Sequence, residues 1–300
     1  MPIMKKYFIL AAVALIWASC SKQEIDLDPN QIYVTASMPG STKATLTNFE
    51  EGDMMSLYAV EYNGDNVAAL QIGGNYLNNE KMTYTNGKWE SERPLYWSNN
   101  ACDFYGLYPY RQPAAMSDVL FEIETDQSAN KGAETLGGYE KSDLMWAKAT
   151  KITKESNLGT VDMQFIHMMS RVVVKIIKAE GFVGDIPDDV TTHIYNTATT
   201  AKVDFTNGTL EKYAYSPKKT ITMKKIDNET FEAIVVPQFI ERSTPLIEIT
   251  MGGIAYLMEY SISFRPGEQH TISVTLLKSP EQERIDITID GEVDPWGSSN

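Results

Sequence analysis

Short runs in which apolar and polar residues alternate, separated by turn-forming residues, dominate this chain. In the stretch AKVDFTNGTLEKY, Val203 and Phe205 alternate with Lys202, Asp204 and Thr206. A period of two places one face of a β-strand in a core and the other face in water. The pattern predicts an all-β chain built from many short strands.

Turn signals between these runs support the same fold class. Asn-Gly, which tolerates the positive φ angles of a tight hairpin turn, occurs at Asn63–Gly64, Asn86–Gly87 and Asn207–Gly208. Residues 111–141 are the least patterned part of the chain and carry no long helical period. Many short strands separated by turns indicate a sandwich or barrel architecture. Further strand candidates are SRVVVKIIKAE, FEAIVVPQF, PLIEITMGGIAYLMEYSISF and HTISVTLLK.

The N-terminus has the layout of a secretory signal. Lys5 and Lys6 precede an uncharged apolar run, and Ala18 and Ser19 lead directly into Cys20. The run is too short to span a bilayer. A cysteine directly after small residues resembles a bacterial lipobox, so Cys20 is the predicted lipidation site. The alternative is an ordinary signal peptide with an incidental cysteine.

Length and charge limit the domain plan and the partners. The chain has 300 residues and a formal charge of −14. We expect a signal peptide at 1–19, a tether at 20–30, and β-domains at 31–158 and 159–300. Nucleic-acid binding is not expected, because it relies on basic patches that this acidic chain lacks.

The residues that usually carry chemistry form no recognisable site. His167, His193 and His270 lack a second His or Cys at metal-ligand spacing, and His167 is predicted to be a hydrogen-bonded packing residue. Cys102 lies among aromatics and is predicted to be a small buried side chain. Nucleophile and phosphate-loop motifs are missing. We expect no cofactor, no metal and no enzymatic activity.

Aromatic residues leave open an alternative function. Trp89, Tyr96, Trp97, Tyr108 and Tyr110 could stack on sugars, as in a surface lipoprotein that binds glycans for nutrient capture. At strand spacing such residues are more often core or cross-strand pairs. Burial of Trp89, Trp97 and Trp146 would remove the main sugar-stacking candidates.

Several segments, taken in order, resemble the fimbrillin-like proteins of Bacteroidetes. The first is STKATLTNFEEGDMMSLYAV, which contains Lys43, Phe49 and Asp53. The stretches YPY at 108–110 and KSDLMWAKAT at 141–150 follow. Next come VDMQFIHMMSRVVVKI and, near the end of the chain, the Pro-Trp-Gly of 295–297.

The resemblance implies two consecutive transthyretin-like, Greek-key β-sandwich domains and a role as a fimbrial subunit or tip adhesin. It also implies export as an outer-membrane lipoprotein, anchored in lipid through Cys20, and cleavage after a basic residue, here Lys43. Cleavage would remove the strand QIYVTASM, in which Ile32, Val34 and Ala36 share one face. A strand from another fimbrial subunit would fill the groove. Host or bacterial surface ligands are further expected partners.

The C-terminal stretch ERIDITID has two possible roles. Ile285, Ile287 and Ile289 would face a groove together if this strand were donated to a neighbouring subunit. The same residues could equally form the last strand of the second domain, in which case the subunit would be a tip or an anchor.

Overall fold

The computed structural model of the chain describes residues 28–38, 49–132, 135–180, 182–276 and 287–296. Their regular secondary structure is almost entirely β-strand, with one five-residue α-helix, α1 (Gly138–Ser142), and one 3-10 helix at Ser156–Gly159. The prediction of an all-β fold is therefore confirmed. The predicted signal peptide and most of the predicted tether lie outside the described residues.

The strands are numbered in chain order. The first ten are β1 (Tyr33–Ser37), β2 (Met54–Asn63), β3 (Asn66–Val67), β4 (Leu77–Thr85), β5 (Lys88–Ser91), β6 (Cys102–Tyr108), β7 (Val119–Glu122), β8 (Met145–Ile152), β9 (Thr160–Gln164) and β10 (Ile166–His167). The others are β11 (Ser170–Lys178), β12 (Thr191–Ala198), β13 (Thr200–Asp204), β14 (Thr209–Lys212), β15 (Lys218–Thr222), β16 (Lys224–Lys225), β17 (Thr230–Val235), β18 (Phe239–Ile240), β19 (Pro245–Met251), β20 (Ile254–Glu259), β21 (Ile262–Ser263), β22 (Glu268–Leu276) and β23 (Ile287–Pro295).

The strands form one large sheet and four smaller ones. The large sheet has the order β10-β8-β6-β2-β4-β5-β1-β9, and β3 pairs with the end of β2. The smaller sheets are ordered β16-β17-β11-β22-β23, β15-β12-β19-β20, β14-β13-β7 and β18-β21. Most neighbours are antiparallel, but β1 runs parallel to β9, and β11 runs parallel to β22.

The central strands of the large sheet bury both of their faces. In β2, Leu57 and Ala59 belong to one hydrophobic core, whereas Tyr58 and Val60 belong to a second core shared with the C-terminal half. Alternate side chains of a strand point to opposite faces, so one run of apolar residues serves both cores. Strand β6 does the same: it contributes Cys102 and Phe104 to the first core and Tyr105 and Leu107 to the second.

The predicted division at residues 158 and 159 remains a prediction. Strands β9 and β10, which follow that point, hydrogen-bond to β1 and β8 of the large sheet. The side chain of Gln127, from the N-terminal half, is buried and donates to the carbonyl oxygen of Ile234 in β17 at 2.8 Å. Its amide oxygen accepts from the N–H of Ile234, also at 2.8 Å. Backbone pairing and buried polar contacts therefore couple the two halves.

The three Asn-Gly pairs lie at strand reversals, as expected, but they form different turns. Both residues have positive φ only at Asn86 and Gly87, as a type I′ turn requires. At the other two sites only the glycine has positive φ. The stretch PLIEITMGGIAYLMEYSISF was predicted as one strand, which is wrong. Its two central glycines, Gly252 and Gly253, both adopt positive φ and reverse the chain between β19 and β20.

The close packing of Gly208 against a tryptophan ring provides a test of the fold. Gly208 has φ +69°, and a Cβ atom there would lie 2.4 Å from the Trp146 ring. Gly64 has φ +62° and nothing within 4 Å of the same position. We expect Gly64→Ala to cost about 1 kcal/mol from backbone strain. Gly208→Ala should cost about 1–3 kcal/mol more because it overpacks the ring. Urea denaturation of both variants measures the difference, and equal losses would contradict the packing.

Candidate functional site

Strand β1 is inserted between two strands that do not otherwise pair. It faces β9 in parallel register along its whole length, but it pairs with β5 at one position, where Val34 lies opposite Trp89. Main-chain hydrogen bonds continue beyond the strand: the N–H of Ile32 donates to the carbonyl oxygen of Leu95 at 2.8 Å. The main chain of β1 therefore completes the large sheet at its β9 end.

The side chains of β1 fill part of the first core. Ile32 and Val34 are only 4% and 6% exposed, and Ala36 packs against the same core from a half-buried position. The structure thus places all three residues of the predicted inward face on one side of the strand. Val161 and Met163 of β9 are fully buried in the same core. Removing β1 would uncover an apolar trench with a bare strand edge on β9.

Lys43, the predicted cleavage site, lies outside the described residues, between the end of β1 and Phe49. Phe49 is buried and lies beside four other aromatic rings of the first core, including that of Tyr84 at a centroid distance of 6.3 Å. Its ring centroid lies 4.8 Å from that of Trp89, 5.4 Å from Tyr108 and 5.7 Å from Phe165. The chain that follows the predicted cleavage site is therefore anchored in the core by contacts that do not involve β1.

An ion-pair network reinforces this anchor. Lys131 Nζ lies 2.7 Å from Asp53 Oδ1 and 3.0 Å from Glu50 Oε2. The Asp53 carboxylate is buried and also accepts the N–H of Glu50 at 2.7 Å. Sequence analysis did not identify Lys131, because its position in a poorly patterned loop gives no signal of a distant partner.

The predicted donor residues fall partly within β23. Ile285 lies outside the described residues, whereas Ile287 and Ile289 are opposite Leu276 and Val274 of β22. Strand β23 is the last strand of its sheet. In this structure the segment is thus hydrogen-bonded within its own chain, and whether it is donated remains a prediction.

The end of β23 contacts a buried histidine from the large sheet. His167 stacks on Trp296 with 3.7 Å between ring centroids and an interplanar angle of 8°. Its Nδ1 lies 2.8 Å from Asp143 Oδ1, and the N–H of Trp296 donates to the carbonyl oxygen of Gly267 at 2.8 Å. These contacts agree with the expected packing role of His167, and they fasten the end of the described C-terminal strand to the junction of the two halves.

The other candidate chemical residues are packed rather than assembled into a site. Cys102 is fully buried, and burial raises the pKa of its thiol to about 11. Within the described ranges, no three His, Cys, Asp or Glu side chains are grouped so that they could hold a metal ion. The described part of the chain also has no helix with the length and apolar character needed to cross a membrane.

The three tryptophans considered for sugar stacking pack within the molecule. Trp89 is 6% exposed, and Trp97 and Trp146 pack against the two cores from partly buried positions. The indole N–H of Trp97 donates to the carbonyl oxygen of Gln31 at 3.1 Å, and that of Trp146 donates to Phe205 at 2.8 Å. This packing engages the three tryptophans within the molecule, whereas Tyr96, also considered for sugar stacking, is 51% exposed.

Residues 42–296 match the family described as fimbrillin-like. The chain belongs to this family. The fimbrillin-like chain is 28% identical over 195 residues to Fim1C of Bacteroides ovatus, which is named as a fimbrium tip subunit; the match covers 56% of this chain and 34% of that protein. It is 24% identical over 252 residues to the fimbrium subunit Fim1C of Phocaeicola vulgatus. That match covers 76% of this chain and 62% of the relative. It thus spans about a third of the first relative and less than two thirds of the second.

Solved structures share the fold of the fimbrillin-like chain. One, from Bacteroides uniformis and described as a cell adhesion protein, has a TM-score of 0.64 at 21% identity and covers 89% of this chain and 98% of that one. Another so described, from Bacteroides ovatus, has a TM-score of 0.66 at 16% identity, with coverage of 89% and 97%. At these identities the likeness establishes the fold.

An exchange of similar side chains on β1 tests its role in the core. Val34→Thr places a hydroxyl in the buried face and should destabilise the fimbrillin-like chain by about 1–3 kcal/mol, since the hydroxyl loses water. The control, Thr35→Val, alters the exposed face and should change stability by about 0.5 kcal/mol or less. Urea denaturation followed by tryptophan fluorescence compares them. Equal effects would mean that β1 does not seal the core.

Proposed function

We propose that this fimbrillin-like chain is a fimbrial structural subunit or tip adhesin, that it is not an enzyme, and that it accepts a strand from another subunit in place of β1. The observation that carries the proposal is the position of β1. One strand closes the gap between β5 and β9, and its inward side chains complete a core. Phe49 and the Lys131 network hold the following chain without it.

Strand replacement is physically favourable at such a place. Release of β1 would leave unpaired N–H and C=O groups along β9 and would expose apolar side chains to water. An incoming strand with apolar residues at alternate positions would satisfy both requirements. The partners would then be other fimbrial subunits, joined through main-chain hydrogen bonds and a buried apolar face.

The contacts of β23 favour a place at the end of a fimbrium. Donating β23 would break its pairing with β22 and would draw Trp296 away from His167. A subunit that accepts a strand but keeps its own last strand caps one end of a polymer. We therefore favour the tip position, the role for which the Bacteroides ovatus relative is named.

Before assembly, the chain would be a lipoprotein at the cell surface. Lipidation at Cys20 would anchor it in the outer membrane. Cleavage after Lys43 would then release the folded domains from the anchor and from β1 in one step. This order explains why the anchor and the removable strand would lie on the same side of the cleavage site.

Limited proteolysis tests the cleavage and its consequence. Brief trypsin treatment of the chain should produce a new N-terminus at Ala44, and the cleaved chain should then bind a labelled peptide with the sequence of residues 31–38, QIYVTASM, added in excess and followed by size-exclusion chromatography. Lys43→Ala should block both events. The matched control Lys88→Ala, in the exposed hairpin after β4, should block neither. A chain that is cut after Lys43 and binds no added strand would refute strand acceptance.

Metabolic labelling with an alkyne fatty acid tests the anchor. The wild-type chain should incorporate the label and sediment with the outer membrane. Cys20→Ala should lose both properties, because the acyl chains that hold it to the bilayer are missing. Cys102→Ala, which changes the other cysteine of the chain, should keep them. Equal labelling of the two variants would place lipidation elsewhere.

A further inference from the structure

A second groove lies away from β1, between the chain that follows β6 and the strand β7. Its volume is about 440 Å³, which is within the usual range of ligand pockets. Most of its lining is apolar, and one side chain in it carries a positive charge, that of Arg111. The apolar lining includes Pro113, Ala114, Ala115, Leu120, Phe121 and Phe205.

The position of Arg111 is fixed by neighbouring polar groups. Its N–H donates to Ser56 Oγ at 3.2 Å, and its carbonyl oxygen accepts from Ser56 Oγ and Asn79 Nδ2, each at 3.0 Å. The guanidinium lies over the ring of Phe121, 4.5 Å from the centroid. Nε donates to the carbonyl oxygen of Pro109 at 3.1 Å. The backbone of this arginine is therefore held in place, and its guanidinium is stacked on the groove wall.

The guanidinium of Arg111 has no acidic partner among the described residues. Its terminal nitrogens make no hydrogen bond or ion pair there, although the whole chain carries a formal charge of −14. Burial lowers the pKa of Arg111 to about 10, so the group is still charged at neutral pH. Asp118 also lines the groove, but its carboxylate is 2.7 Å from Lys202 Nζ. The groove thus presents a positive charge, and the terminal N–H groups of Arg111 are available to donate hydrogen bonds to a ligand.

The other wall of the groove is the edge of a sheet. Strand β7 pairs with β13, and it is the last strand of the order β14-β13-β7. Leu120, in the middle of β7, is 54% exposed. An edge strand can accept a further strand by main-chain hydrogen bonding, while side-chain pockets beside it select the sequence.

We propose that this groove binds an extended peptide segment of a partner protein that adds to the edge of β7 and presents an acidic side chain, flanked by apolar residues, to Arg111. A guanidinium stacked on an aromatic face keeps its in-plane N–H groups free for a carboxylate. The apolar lining favours aliphatic neighbours over a hydroxyl-rich sugar. The site shares no lining residue with the groove around β1, so it does not depend on strand replacement.

A double-mutant cycle tests the charge pairing. The probe is the labelled peptide acetyl-Thr-Val-Thr-Glu-Thr-Val-Thr-amide, titrated by fluorescence anisotropy against the intact chain, uncleaved and with β1 in place. Replacing the peptide Glu with Gln should weaken binding at least about tenfold. The same Glu to Gln exchange in the peptide should not alter its affinity for the Arg111→Gln variant. The control Arg242→Gln removes an equal charge from an exposed position and should behave as wild type.

A second variant tests the location without altering the arginine. Leu120→Glu adds a negative charge at the exposed rim of the groove. It should weaken binding of the Glu peptide at least about tenfold, and it should weaken binding of the Gln peptide less. Three results would overturn the proposal. These are no binding at about 1 mM peptide, equal affinity of the two peptides for wild type, or identical behaviour of Arg111→Gln and Arg242→Gln. None of them bears on cleavage after Lys43, which the protease experiment measures separately.

Discussion

The alternating side chains of β2, β6 and β8 pack into two different hydrophobic cores, and the arrangement of the other strands follows from this constraint. Leu57 and Phe104 belong to the first core, whereas Tyr58 and Tyr105 belong to the second. A strand that buries both faces cannot lie at the surface, so sheets must cover it on each side. The N-terminal strands supply one cover and the sheets of the C-terminal half supply the other, which couples the halves through shared strands.

Strand β1 stands apart from this shared framework. It contributes to the first core only, and its removal would leave β2, β6 and β8 paired with one another and packed against the second core. Phe49 keeps its aromatic contacts, and the Asp53 carboxylate keeps Lys131. A molecule built in this way can lose a strand and retain the surface that a replacement strand needs. The proposed exchange therefore requires that the central strands stay in place while one peripheral strand is replaced.

The two ends of the described chain are held by different contacts. Strand β1 is sealed by apolar side chains and main-chain bonds, with one register pair on its β5 side. Strand β23 is paired along its length with β22, and Trp296 then stacks on His167, which is itself bound to Asp143. The proposed exchange would replace the first strand along its five positions of pairing with β9 and would retain the last strand with its ring stack. The groove at Arg111, proposed to bind an acidic peptide, includes neither β1 nor β23. It would therefore serve a separate contact.

The sequence by itself determined the all-β class, the family and the inward face of the first strand, because these depend on local alternation and on the order of short motifs. Only the tertiary structure decided which strands pair, since pairing joins segments that are distant in the chain. Alternation in QIYVTASM predicted the burial of Ile32 and Val34, but nothing local showed that β9 would be its parallel partner. The contact of His167 with Trp296 likewise required the fold, as did the lack, among the described residues, of an ion-pair partner for Arg111. Charge neutralisation and ring stacking are properties of neighbours in space, which a sequence pattern does not specify.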